Sequence, residues 1–170
     1  MGRVLLTGGT GIVGSSIAEV LVARGRAVRA LVRSEERGRA CLPPGCELVR
    51  GDVTDADSVR RAAEGCDVVY HAAGLPEQWL ADPGTFDRVN VGGTRHVLAA
   101  ARAAGMRRFV HTSTIDVFTM HPDRPFDESE LDPAPKGTPY ERSKQEADRL
   151  VSAAAAAGLP VVLLHPSGVF

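Results

Sequence analysis

The chain has 170 residues, enough for one domain with a real core, and sets 20 basic against 21 acidic residues for a net charge of -1. No basic block stands out, which argues against nucleic acid or anionic membrane as partners, and no apolar run approaches the ~20 residues of a membrane span. Cys41, Cys46 and Cys66 are odd in number and lack paired CxxC spacing, so neither a zinc site nor a disulfide framework is expected; with no signal-peptide pattern at the start, the reading is a cytoplasmic protein with reduced thiols.

Short β-rich apolar runs alternate with longer helical patterns. "RVLLT" (3–7) reads as a buried strand and 12–23 as a helix; 27–32 is a second strand, followed by the polar, loose "RSEERGRA". A third strand at 47–51 leads to a helix starting near Thr54, where Thr54 and Asp57 have capping-box spacing with Asp in place of Glu. The fourth strand is 67–74. A helical stretch at 86–104 is stopped by Gly105, and the fifth strand is 107–114. The last helix, 140–157, is stopped by Gly158 and Pro160, and a sixth strand follows at 160–168. Such alternation predicts an α/β fold, a doubly wound parallel sheet of about six strands with helices on both faces. The two long irregular stretches, 75–84 and 119–139, both follow strands, where ligands of open α/β sheets bind; both are candidates for substrate contact. The second is rich in proline and acid, so a solvated excursion is the competing reading.

"TGGTGIVG" joins the first strand to the first helix with glycines at 8, 11 and 14, a variant of the Rossmann-type dinucleotide fingerprint. Gly8 would allow the tight turn, Gly11 the close approach of a pyrophosphate and Gly14 close packing of helix on sheet. Amides at that helix start, among Thr10, Ile12 and Val13, and the helix dipole favour phosphate charge. About twenty residues on, an NAD site usually has Asp or Glu for the ribose hydroxyl. Here Arg33 stands at the end of "LVRS" with Arg37 close behind. A guanidinium suits a 2′-phosphate, so NADP is the preferred cofactor and NAD the alternative.

"YERSK" places Tyr140 and Lys144 four residues apart, on one side of a helix. Lys136 and Lys144 are the only lysines in the chain, so chance is a poor account of the pair. Gly92 and Gly93 each cost about 1 kcal/mol inside a helix and suggest close packing there. His71, His111 and His165 sit on strands or their ends without carboxylate or cysteine partner spacing, and read as packed or backbone-bonded rather than as metal ligands.

With these motifs in this order, the sequence resembles the extended short-chain dehydrogenase/reductase superfamily, the NAD-dependent epimerase/dehydratase family, and within it the dihydroflavonol-reductase-like branch. The resemblance implies roles by position. In "GDVTD" Asp52 would contact the adenine amino group and Val53 border the ring, although Asp52 also reads as a plain turn residue. In "HAAG" His71, Ala72 and Ala73 would line the cofactor. In "NVGGT" Asn90 would bridge the central strands' backbone, or be an ordinary satisfied helix residue. In "TST" Thr114 takes the catalytic place, counted back from "VF" at 117 and 118, with Ser113 second. In "HPSGVF" Pro166 and Val169 would border the nicotinamide, with Phe170 where the family has Tyr.

The mechanism so implied has Thr114 hold a substrate oxygen while Tyr140 exchanges a proton with it. Lys144 would bond the nicotinamide ribose and, with the oxidised ring, lower the phenol's pKa from near 10. The leading expectation is an NADP-linked oxidoreductase acting on a small carbonyl or alcohol. A nucleotide-sugar epimerase or dehydratase with bound NAD is the first alternative, and a non-catalytic NADP-binding protein the second. Family members continue beyond this point, so the chain reads as a dinucleotide domain over 1–170 without its carboxyl-terminal substrate region, slow in hydride transfer by itself. An exposed sheet edge would then invite association, and a homodimer is left open.

Overall fold

A computed structural model of the chain describes residues 2–169. Six strands form one parallel sheet: β1 (Arg3–Thr7), β2 (Val28–Val32), β3 (Glu47–Arg50), β4 (Cys66–His71), β5 (Arg108–Thr112) and β6 (Val161–Leu164). Their order is β3-β2-β1-β4-β5-β6, so the direction of winding reverses at β1 and β4. The central position of β1 explains its unbroken apolar run: Val4, Leu5 and Leu6 are fully buried, each contributing roughly 1.5–3 kcal/mol of apolar transfer.

Helices cover both faces. On one, Ala18 and Leu21 of α1 (Ile12–Ala23) and Leu42 after α2 (Glu35–Cys41) pack on Val4, Leu6 and Val28. On the other, α3 (Ala56–Ala63), α5 (Gly93–Ala103) and α6 (Pro139–Ala156) bury Val59, Val97, Leu98 and Val151 against Leu5, Val69 and Phe109. The expected doubly wound α/β architecture is therefore present.

Four local expectations differ from what the chain does. "RSEERGRA" is not loose but forms α2. Its N-cap Ser34 accepts from the Arg37 amide, Glu35 and Glu36 lie in the first turn, and Arg39 pairs with Glu35 at 2.6 Å. Helix α3 is capped by Asp55, whose carboxylate accepts from the Asp57 amide, while Thr54 instead donates to Asp52. The helix expected at 86–104 runs unbroken from Gly84 to Ala103, but Asp87–Gly92 is wound as a wide π turn between α4 (Gly84–Phe86) and α5. Helix α6 begins one residue before its expected start, with a capping box in which Thr138 bonds the Glu141 amide and Glu141 bonds the Thr138 amide.

The acidic stretch 119–139 is exposed or half-exposed throughout, as the solvated reading expects, yet it is tied down at several points. Leu131 bridges Phe118, Lys136 pairs with Asp132 at 2.8 Å, and Gln145 of α6 donates to the carbonyls of Asp132 and Ala134.

Candidate functional site

The loop between β1 and α1 is built on close backbone approach. Gly8 has φ +75°, and a Cβ there would lie 2.5 Å from the backbone of Ala72 and Ala73. A Cβ on Gly14 would lie 2.2 Å from the Gly8 carbonyl oxygen, so only glycine lets α1 sit so tightly on the loop. Gly11 is the N-cap of α1 and makes no side-chain cap bond, and the first turn contains no acidic residue. The helix start therefore presents its amides and the positive end of its dipole without internal competition.

These amides open on a cleft of about 400 Å³ at the carboxyl ends of the strands. Gly8, Thr10 and Gly11 form its floor, Arg33 and Arg37 stand on one side with Asp52 and Val53, and Ala72 and Ala73 close the other. The α2 helix explains the second arginine: it brings Arg37 in its first turn beside Arg33. Asp52 has the turn role read for it, its carboxylate accepting from Thr54 N and Oγ1 at 2.9 Å, and it also lines the cleft. The walls also include Leu31, Gly74 and Val89, which sequence reasoning did not single out, and Leu75, Pro76 and Gln78 from the stretch 75–84 expected to contact substrate. The stretch 75–78 lacks any periodic signal; only its position after a strand marks it.

Several expected cofactor residues do not belong to these walls. Ile12, Val13 and Gly14 lie beyond it, with Ile12 exposed and Gly14 packed on the loop. Pro166 and Val169 are likewise outside: Pro166 accepts from the Ile115 amide and Val169 is exposed. The Phe170 match lies outside the described residues. His71 is buried behind the cleft. Its Nε2 meets Thr94 Oγ1 at 2.9 Å, and that hydroxyl already donates to the Asn90 carbonyl, so Nε2 carries the proton. Nδ1 then accepts from Thr7 Oγ1 at 2.7 Å. The partners are hydroxyls, not backbone.

Asn90, in the π turn, also serves structure. Its Oδ1 accepts from the Leu75 amide at 2.7 Å, and its Nδ2 donates to the Leu75 carbonyl and to Ser143 Oγ of α6. It ties the cleft wall after β4 to α6, rather than bridging the central strands. Of the paired glycines, Gly93 confirms close packing, since a Cβ would meet Val53 Cγ2 at 2.8 Å; Gly92 meets nothing nearer than 3.7 Å. His165, read without a carboxylate partner, bonds Asp148 at 2.8 Å, both groups buried. The sheet brings β6 beside α6, which no local spacing signals.

The Tyr140–Lys144 pair lies at the start of α6, next to the ends of β4 and β5. Tyr140 is half-buried, its ring edge-on to Phe86 at 6.1 Å. Lys144 is buried and donates to the Thr112 carbonyl at 2.9 Å; burial lowers its ammonium to about 8, against the pull of Asp148. Its Nζ is 3.9 Å from where a Gly74 Cβ would stand, so the ammonium reaches the cleft wall. The chain's own groups leave the phenol above its ordinary range rather than below it. Burial raises it first, the Asp116 carboxylate adds to that, and only the Thr114 hydroxyl pulls it down. Lys144 is not among the groups that shift the phenol here; its ammonium bonds the Thr112 carbonyl. Thr114 thus bears on the phenol, its hydroxyl also bonded to Asp116 at 2.7 Å, while Ser113 Oγ is buried with no partner among the described residues.

Burial has a further consequence at β4 and β5. It pushes His71 down to about 3, helped by the Lys144 charge, and holds His111 well below its usual range, helped by His71 and Lys144. An unfolded histidine binds a proton near pH 6.5, so in this range the unfolded state holds more protons and stability falls as pH falls. His71 alone should remove about 2 kcal/mol between pH 7.5 and 5, with His111 acting in the same direction. Urea unfolding at the two pH values checks this; an unchanged midpoint would mean the buried rings take up protons in place.

Comparison with known proteins bears on this arrangement. The model of the NAD dependent epimerase/dehydratase family matches residues 4–170. A ketoreductase of Stigmatella aurantiaca, named for 4-hydroxy-2-methyl-3-oxo-4-farnesyl-3,4-dihydroquinoline-1-oxide, is 39% identical over 165 residues, 96% of this chain and 49% of that protein. A UDP-glucose 4-epimerase of Streptomyces lividans is 36% identical over 161 residues, 92% of this chain and 48% of its own. The solved UDP-glucose 4-epimerase of Thermus thermophilus in complex with NAD superimposes with a TM-score of 0.83 at 30% identity, over 96% of this chain and 54% of that one. The chain spans about half the length of the curated relatives it matches. No helix among the described residues is long and apolar enough to cross a membrane.

Proposed function

Because the chain belongs to the NAD dependent epimerase/dehydratase family, we propose that it is the cofactor-binding half of an NADP-linked carbonyl reductase. The observation that carries this reading is the meeting of Tyr140, Thr114 and Lys144 beside a cleft with a bare helix start and two arginines. The cleft suits a dinucleotide phosphate: its floor is glycine backbone that a side chain would fill, and its charged rim is Arg33 and Arg37.

A nicotinamide cofactor held there would supply a hydride to a carbonyl carbon. The rest is done by the chain. The Thr114 hydroxyl, buried beside the phenol, would hold the substrate oxygen. Tyr140, protonated at neutral pH as phenols ordinarily are, would give that oxygen its proton, so the carbonyl gains hydride and proton together and becomes an alcohol. Lys144, close behind the Gly74 wall, would hold the ribose side of the cofactor. The ketoreductase relative supports the reductive direction.

Arg33 is the residue on which cofactor choice turns. NADPH should bind more tightly than NADH, and Arg33→Asp should reverse the order by removing charge-assisted bonds and repelling the phosphate. Titration of both cofactors against parent and variant checks this; equal affinities in the parent would remove the NADP preference. The epimerase relative supports a second reading, a nucleotide-sugar enzyme recycling bound NAD, which copurified NAD would favour.

A further inference from the structure

A second cavity, of about 460 Å³, opens directly on Tyr140. It shares Gln78 with the cofactor cleft and is otherwise walled by Trp79, Leu80, Pro83, Phe86 and Pro139. We infer that this cavity receives the reacting end of the substrate, and that this end is an uncharged apolar ring ketone rather than a sugar. The inference rests on the reductase reading and names its substrate class.

Three observations carry it. The first is the character of the walls. Phe86 is buried, Leu80 half-buried and Pro139 half-buried, so the depth of the cavity is apolar, while its polar members Glu77 and Gln78 are exposed at the mouth. The Thr138 hydroxyl oxygen already accepts from the Glu141 amide, which leaves its proton as a single donor. A hexose ring would bring several hydroxyls into a space with few groups to bond them, and each buried unpaired hydroxyl costs about 1–3 kcal/mol. An apolar ring loses nothing there. The second is charge: the lining contains a carboxylate, Glu77, and no cation, so a diphosphate-bearing group meets repulsion and no partner. The third is Trp79, the only tryptophan of the chain, whose ring is 86% exposed at the mouth. An indole standing in water beside an apolar cavity offers a flat face over which a ring can close. The volume is that of a small-molecule site, room for a bicyclic or larger ring system whose carbonyl meets the phenol.

Trp79 also provides the test, since it is the only tryptophan of the chain and lines this cavity. The chain is titrated with trans-1-decalone, an uncharged bicyclic ketone, and in parallel with UDP-glucose, following tryptophan emission. Decalone should shift the emission to shorter wavelength and saturate, UDP-glucose should not. Leu80→Gln should weaken the decalone response roughly tenfold, and Phe86→Leu, which keeps the buried volume apolar, should weaken it less. A saturating response to UDP-glucose, or none to decalone, would overturn the inference. Binding is read without hydride transfer, so the two readings fail separately. A decalone response, together with no carbonyl reduction by any length of the protein, supports the apolar site and removes the reductase. Carbonyl reduction with no decalone response removes the apolar site alone.

Discussion

Tyr140→Phe is expected to lower carbonyl turnover roughly a hundredfold or more while leaving NADPH affinity within about twofold. The change removes one oxygen and nothing else. The ring stays edge-on to Phe86, so the start of α6 keeps its packing, and the residue contributes nothing to the walls of the cofactor cleft. What is lost is the proton donor. Lys144→Met should behave differently and impair binding as well as turnover, because its buried ammonium holds the Thr112 carbonyl and reaches the Gly74 wall. Since burial and the Asp116 charge hold the phenol up, reduction in the parent should persist above neutral pH and alcohol oxidation should rise toward alkaline pH. Steady-state rates with a carbonyl panel, beside NADPH titration, check all three, on whichever length of the protein turns over. Near-parental turnover of Tyr140→Phe would leave the phenol without a proton-transfer role.

Gly14→Ala should be the most damaging single methyl in the chain, destabilising it by about 3 kcal/mol or more. The new Cβ would lie 2.2 Å from the Gly8 oxygen and 2.6 Å from its carbonyl carbon, atoms of a tight turn that is itself pressed on Ala72 and Ala73. No rotamer can relieve a clash with backbone, so α1 must lift from the loop or the loop must open into the cleft. For a chain of this length the melting temperature should fall by roughly 6–12 °C, and NADPH affinity should fall with it. Gly25→Ala is the control: Gly25 has φ +69°, but a Cβ there has nothing within 4 Å, so only the cost of the left-handed backbone, about 1 kcal/mol, applies. Thermal unfolding by circular dichroism distinguishes them. A Gly14→Ala protein as stable as the Gly25→Ala protein would show that the helix start has slack.

Much of this molecule is determined by sequence alone because its signals are local. The apolar run of β1, the glycines at 8, 11 and 14 and the glycine after each of α5 and α6 act within a few residues of themselves, and they place the strand, the turn and the helix ends correctly. Strand–helix alternation then limits the architecture to a doubly wound sheet, since parallel neighbours require crossovers. Where local signals compete, sequence reading slips. Ser34 starts a helix in a stretch that reads as loose, Asp55 outcompetes Thr54 as a cap, and Thr138–Glu141 is a legible capping box overshadowed by the tyrosine beside it.

Tertiary structure decided the rest, because it depends on which strands become neighbours. Asn90 finds Leu75 and Ser143, His71 finds Thr7 and Thr94, and Asp148 finds His165 only after β4, β5 and β6 align. The four-residue spacing of Tyr140 and Lys144 puts both on one side of a helix but cannot say that the ammonium turns to the Thr112 carbonyl. Nor can it say that the phenol is left with Asp116 and Thr114. Chemical identity of the pair is local; its electrostatics belong to the desolvated corner that three separate elements close around it.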